Sequence, residues 1–173
     1  LDQNSSSAAF HFDSTFDIIS QTTSFSAAQR EELESYYQKT SFKKFKDNTL
    51  IKEVRIIRDG FLAIQDRNSE NTVVKEYTWG INNGGGIGGL LNIRSDNTDY
   101  GCIYDGRGNL VKISDYSGNI AASYTYDEFG RLLSQSGNLA QEFMFSTKRY
   151  DADTGLIYFG YRYYAPVLGK WIT

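Results

Sequence analysis

The sequence predicts a mostly β protein, built of antiparallel hairpins repeated along the chain, with one helix near the N-terminus. Three observations predict it. Tyr104-Asp105-Gly106-Arg107-Gly108-Asn109-Leu110 returns as Tyr126-Asp127-Glu128-Phe129-Gly130-Arg131-Leu132, and again, one residue longer, as Tyr150-Asp151-Ala152-Asp153-Thr154-Gly155-Leu156. The leading tyrosines are 22 and then 24 residues apart, a period that marks a repeating supersecondary unit. Between copies the chain alternates with period two, as half-buried strands do. Finally, 13 Tyr and 11 Phe suit cross-strand aromatic pairing, and the single proline, Pro166, leaves the ladders uninterrupted. Units of this kind bury their apolar faces only against neighbours. The pattern therefore describes a wall before it describes a site.

Taken in order, Leu1–Ala9 is a polar, Ser-rich lead-in. Ser26-Ala-Ala-Gln29 reads as a capping box, and Arg30 through Lys39 suit a helix. Phe42-Lys-Lys-Phe45-Lys46 reads as its cationic last turn. This texture, over 1–50, is set apart from a β region over 51–173. Arg58-Asp59-Gly60-Phe61-Leu62 looks like a degenerate earlier copy of the repeat. Strands are expected near 72–79, 109–114, 120–126, 131–135 and 156–164. Turns are expected at 105–108, 115–118, 127–130 and 151–155, because Asp bonds its own downstream backbone and Gly accepts positive φ. Gly108, Gly130 and Gly155 hold equivalent turn positions and are expected at positive φ.

Composition narrows the function. A formal net charge of −3 argues against a nucleic-acid surface, which needs a basic excess. One cysteine, Cys102, permits no internal disulfide. No apolar run is long enough to span a bilayer. Gly84-x-Gly86-x-x-Gly89 matches the dinucleotide fingerprint formally, but no helical pattern follows to hold a pyrophosphate. Asp151-x-Asp153-x-Gly155 starts like a calcium loop but lacks the remaining ligands, so it reads as a turn. One histidine, His11, and one cysteine do not make a zinc site or a convincing catalytic triad. No cofactor, metal or catalytic residue is expected. Arg162, between Tyr161 and Tyr163, is expected to be a buried guanidinium among aromatics, with Asp151 or Asp153 as acceptor.

Residues 103–173 resemble the Rhs/YD-repeat proteins, in particular their Rhs-associated core domain. The resemblance rests on Y-D-G-R-G-N-L, on Y-T-Y-D-E-F-G-R-L-L, and on the terminal G-L-x-Y-x-x-x-R-Y-Y-x-P-x-x-G-x-W pattern, which places Arg162, Tyr163, Tyr164, Pro166, Gly169 and Trp171. It extends upstream to about residue 73 through Lys75-Glu76-Tyr77-Thr78-Trp79-Gly80 and the Gly84–Leu91 run. Ala165 departs from the family, where a polar residue is common. The resemblance implies a spiral β-sheet closing into a hollow shell around a C-terminal toxin domain. It also implies a core domain that ends the spiral and carries an aspartyl autoprotease. The protease aspartates lie in D-P-x-G motifs, the first directly after the W-I-x segment. The sequence stops at Trp171-Ile172-Thr173, so no catalytic role carries over to it. The expected function is structural: a shell or shell-closing segment of a secreted or surface-delivered protein. Its expected partners are the remainder of the shell or the enclosed toxin. Two other readings stand beside it: the non-catalytic part of an autoprotease core, and a protein- or glycan-binding β module.

Overall fold

The computed structural model describes residues 10–13, 40–46, 49–81, 86–160 and 162–172. The chain divides into two compact units, Leu1–Glu76 and Tyr77–Thr173. In the first, β1 (Phe10–Asp13), β2 (Thr40–Lys46), β3 (Thr49–Asp59) and β4 (Leu62–Arg67) pair antiparallel in chain order. β4 then pairs with the first residues of β5 (Val73–Trp79). Ile56, Ala63 and Asp66 are buried here.

The helix predicted from Ser26 to Lys39 lies outside the described residues. Its predicted last turn does not, and it is strand: Thr40–Lys46 is in register with β3 along its length, Phe42 with Val54 and Lys43 with Glu53. Favourable charge at a helix end contributes only a few tenths of a kcal/mol to about 1 kcal/mol. A full antiparallel ladder to β3 outweighs it, and that partner is invisible to local pattern reading. Arg58-Asp59-Gly60-Phe61-Leu62 also departs from expectation. Asp59 is in register with Leu62, so Gly60, at φ +54°, and Phe61 make a two-residue hairpin. The segment has Leu62 and Ala63 where the repeat has Gly and Asn or Arg, so it lacks the residues that build the longer turn.

The second unit holds the end of β5 and then β6 (Leu90–Ser95), β7 (Thr98–Tyr104), β8 (Leu110–Asp115), β9 (Ile120–Tyr126) and β10 (Leu132–Gly137). From β6 to β10 each strand pairs antiparallel with the next. Three connections are alike. Tyr104 is in register with Leu110, Ser114 with Ile120, and Tyr126 with Leu132. A register shift sits beside each, at Ile103/Tyr104, Ile113/Ser114 and Leu132/Ser134. Such bulges bend a strand and sharpen its twist. Leu90 and Ile93 on β6, and Leu110 and Ile113 on β8, are wholly buried with the same Leu-x-x-Ile spacing.

A second sheet contains β11 (Arg149–Asp151), β12 (Leu156–Tyr158), β13 (Tyr163–Ala165) and β14 (Lys170–Ile172), paired in that order. The strand expected over 156–164 is thus two strands. The chain reverses between them, with Gly160 at φ +100° and the Phe159 N–H donating to the Arg162 carbonyl at 3.0 Å. Pro166 opens a short 3-10 turn, Pro166–Leu168, and Gly169 closes it in the left-handed region. This is the usual division of labour between proline at the start and glycine at the end. Among the described residues no helix is long and apolar enough to cross a membrane.

Candidate functional site

The repeated feature is a five-residue turn organised by one aspartate. Asp105 Oδ1 accepts the N–H groups of Arg107 and Asn109, both at 2.9 Å, and Oδ2 accepts the Asn109 amide at 2.7 Å. Asp115 repeats this with Ser117 and Asn119, all three bonds at 2.9 Å. Asp127 accepts from the Phe129 and Arg131 N–H groups at 3.0 and 2.8 Å, and Arg131 Nε replaces the asparagine amide at 3.2 Å. The N–H groups of Gly108, Gly118 and Gly130 each donate to the carbonyl of their own aspartate at 3.1 Å. All three glycines lie at positive φ, between +77° and +86°. The copy at 150–156 is looser. Asp151 accepts from the Asp153 N–H and the Thr154 hydroxyl, while Gly155, at φ +71°, donates to the Asp151 carbonyl.

The tyrosines before Asp105 and Asp127 each close the hairpin they end. Tyr104 donates its hydroxyl to the Leu90 carbonyl at 2.6 Å, and Tyr126 donates to Leu110 at 2.7 Å. Burial pushes both hydroxyls well above the ordinary tyrosine range, so they remain donors. Tyr150 has another setting: it is in register with Ile157, and its N–H donates to the Glu142 carbonyl at 2.8 Å. Burial also pushes the nearby Cys102 thiol up to about 12, and it stays protonated at neutral pH.

Sequence reasoning missed the latch that ties the 143–148 segment to the first of these turns. Thr147 is buried, and its hydroxyl accepts the Gly88 N–H at 2.7 Å while donating to the Gly108 carbonyl at 2.8 Å. Ser146 donates its N–H to Asn109 Oδ1 at 2.8 Å, and Leu110 donates to the Met144 carbonyl at 3.1 Å. Ser146 and Thr147 both sit at positive φ, +51° and +52°, an unfavourable region for a β-branched residue. No local motif announces these bonds, because Thr147 reaches partners 39 and 59 residues away.

The C-terminal motif forms an aromatic cluster. Phe159 and Tyr164 pack against Trp171 with ring centroids 4.7 and 5.2 Å away, and Phe145 stacks on Tyr164 at 6.4 Å. Arg162 is not buried. It is exposed, with its guanidinium carbon 3.8 Å from the Trp171 ring centre. Trp171 is itself partly open to solvent, so the cation stacks at the surface, where it is already hydrated and requires no carboxylate. The buried arginine among aromatics is Arg149, over Phe143 at 5.0 Å and Tyr77 at 5.7 Å, with Nη2 donating to the Tyr77 hydroxyl at 3.3 Å. Tyr163 lies beside Tyr158 at 5.2 Å, and burial pushes its hydroxyl up.

Among the described residues the other sequence candidates are differently placed or already committed. Gly86 and Gly89 are followed by β6, not by a phosphate-holding helix. No group of three or more metal-ligating side chains occurs among the described residues. An open cleft of about 760 Å³ lies over β8 and β9, lined by Arg107, Lys112, Ser123, Thr125, Glu128 and Arg131 among others. Asp105 and Asp127 stand at its rim, but their carboxylates serve their own turns.

These hydrogen bonds set the acid response. Partial burial pushes the Asp105 carboxyl up, but the bonds from Asn109 and Arg107 outweigh it and hold the group below the ordinary range. The Asn119 amide and N–H do the same for the partly exposed Asp115. A carboxyl that titrates lower folded than unfolded stabilises fully above its unfolded value, about 3.9, and loses that stabilisation as pH falls through its folded value. Urea midpoints measured downward from pH about 5 should therefore fall, and Asp105→Asn should flatten that fall. An unchanged acid slope in the variant would show that the turn does not hold the carboxylate.

Three aspartate-centred turns, two of them preceded by a hairpin-closing tyrosine, make a Tyr-Asp repeat along the meander. Residues 104–139 match the RHS Repeat family model, so this stretch of the chain is similar to an Rhs repeat. Over 118 residues it is 29% identical to the tRNA3(Ser)-specific nuclease WapA of Bacillus spizizenii, covering 66% of this chain and 5% of that protein. Over 66 residues it is 38% identical to the putative uncharacterized protein YlbH of Escherichia coli, covering 37% of this chain and 28% of that one. The crystal structure of TcdB2-TccC3 superposes with a TM-score of 0.53 at 18% identity, covering 78% of this chain and 8% of that one. The chain thus spans a small fraction of the proteins it resembles.

Proposed function

We propose that the chain is a structural segment of an Rhs-type shell wall and, taken alone, is not an enzyme. One observation carries the reading: the same aspartate-centred turn is built three times, at 105, 115 and 127. That arrangement extends a sheet; it does not gather reactive groups. An aspartyl peptidase needs two carboxyls close enough to share a proton. Here Asp105, Asp115, Asp127 and Asp151 each accept hydrogen bonds within their own loops. The aromatic C-terminal sheet is the shell-closing, core-like part. Similarity to WapA nucleases and to TcdB2-TccC3 supports a toxin setting. The partners are then the rest of the shell and a toxin domain enclosed by it, in a secreted or surface-delivered protein.

The test uses the parent protein carrying Asp105→Ala and Asp127→Ala. The enclosed domain should become sensitive to added protease while keeping its own activity when expressed separately. Equal protection in parent and variant would sink the shell reading. The isolated chain, incubated at mildly acidic and neutral pH, should show no new termini by mass spectrometry. Self-cleavage abolished by Asp151→Asn or Asp153→Asn would instead place an active site within the repeat.

A further inference from the structure

We propose that Asp59-Gly60 is a site of spontaneous aspartate isomerisation, and that the other Asp-Gly pair in the described residues, Asp105-Gly106, is protected by its turn. Both pairs are exposed, and a Cβ added at Gly60 or Gly106 would meet nothing within 4 Å. Sterics therefore do not separate them. The carboxylates do. Asp105 is held through both oxygens, by the N–H groups of Arg107 and Asn109 and by the Asn109 amide. Asp59 ends β3 at the hairpin tip, and its side chain makes no hydrogen bond or ion pair among the described residues.

The chemistry is intramolecular and needs no co-reactant. The Gly60 nitrogen attacks Asp59 Cγ, a C–N bond forms, and water leaves, giving a five-membered succinimide. One water then opens the ring. Attack at the side-chain carbonyl restores aspartate; attack at the main-chain carbonyl gives isoaspartate, with no change in mass. The attacking nitrogen must swing onto the side-chain carbon, which a free carboxyl at a glycine-containing tip allows. Asp105 is tethered away from Gly106. Its acid form, from which water leaves readily, is also scarcer because the turn favours the carboxylate.

Isoaspartate at residue 59 adds a backbone methylene where Asp59 pairs with Leu62 and Arg58 with Ala63. It also displaces the Phe61 carbonyl that accepts Arg58 Nη1 at 3.1 Å. The hairpin between β3 and β4 therefore loosens as the protein ages, while the YD turns do not.

The test incubates the folded chain for weeks at neutral pH and physiological temperature. Isoaspartate is then located by enzymatic methyl transfer and peptide mapping. Label should accumulate at Asp59 several-fold faster than at Asp105, and the two rates should converge in denaturing urea. Asn109→Ala, which removes one tether, should raise the rate at Asp105 only. Conversion at Asn83-Gly84 changes mass and is told apart by it. Equal native rates at the two sites, or no label at Asp59, would overturn the proposal.

Discussion

Gly130→Ala is expected to destabilise the protein by about 3 kcal/mol, against about 1 kcal/mol for Gly118→Ala. The two glycines hold equivalent positions and almost the same φ, +83° and +86°, so the left-handed backbone penalises alanine equally. Their surroundings differ. A Cβ at Gly118 meets nothing within 4 Å, whereas at Gly130 it lands 2.5 Å from the ring of Phe145. That ring packs edge-on against Tyr126 and stacks on Tyr164, so it has little freedom to withdraw. Overpacking a fixed aromatic adds to the backbone strain. Urea unfolding followed by Trp79 and Trp171 fluorescence measures both changes. Equal costs would show that the Phe145 contact yields freely.

Thr147→Val should also cost about 2 kcal/mol, since it leaves the partly buried Gly88 N–H and Gly108 carbonyl without their shared partner. Valine preserves shape and branching, so the loss reports the hydroxyl. Thr147→Ser keeps the hydroxyl and should recover most of the stability. Thr147→Gly relieves the positive φ yet should remain destabilised. If Val and Ser behave alike, the hydroxyl is not the latch.

Legibility in the sequence followed the range of the interactions. The turns at Asp105, Asp115 and Asp127 are encoded within five residues, so their positions and the φ signs of Gly108, Gly130 and Gly155 could be read directly. β9 coincides with its expected range and β5, β8 and β10 lie within a residue or two of theirs. The failures are non-local. Residues 42–46 carry helix-like charge, but β3 supplies a ladder that the segment cannot advertise. A glycine at 160 divides what alternation presents as one strand. The sequence points to Arg162 as the buried arginine among aromatics. Arg149 holds the buried place instead, in register with Tyr158 and beneath Phe143, an arrangement set by a sheet partner rather than by neighbours in sequence. Thr147 gave no signal, because its role depends on two distant loops.

The tyrosine closures have a mechanical consequence. Tyr104 and Tyr126 each fasten the end of one strand to the start of the strand before it, so the β6–β7 and β8–β9 hairpins each carry a clasp. Tension along a meander of this kind loads one hairpin at a time, from the free strand inward. Opening the β9–β10 pair leaves the Tyr104 clasp intact. The second unit should therefore yield to pulling as a zip with detents, giving way in steps with a restraining catch between them, not as a sheet that shears all at once.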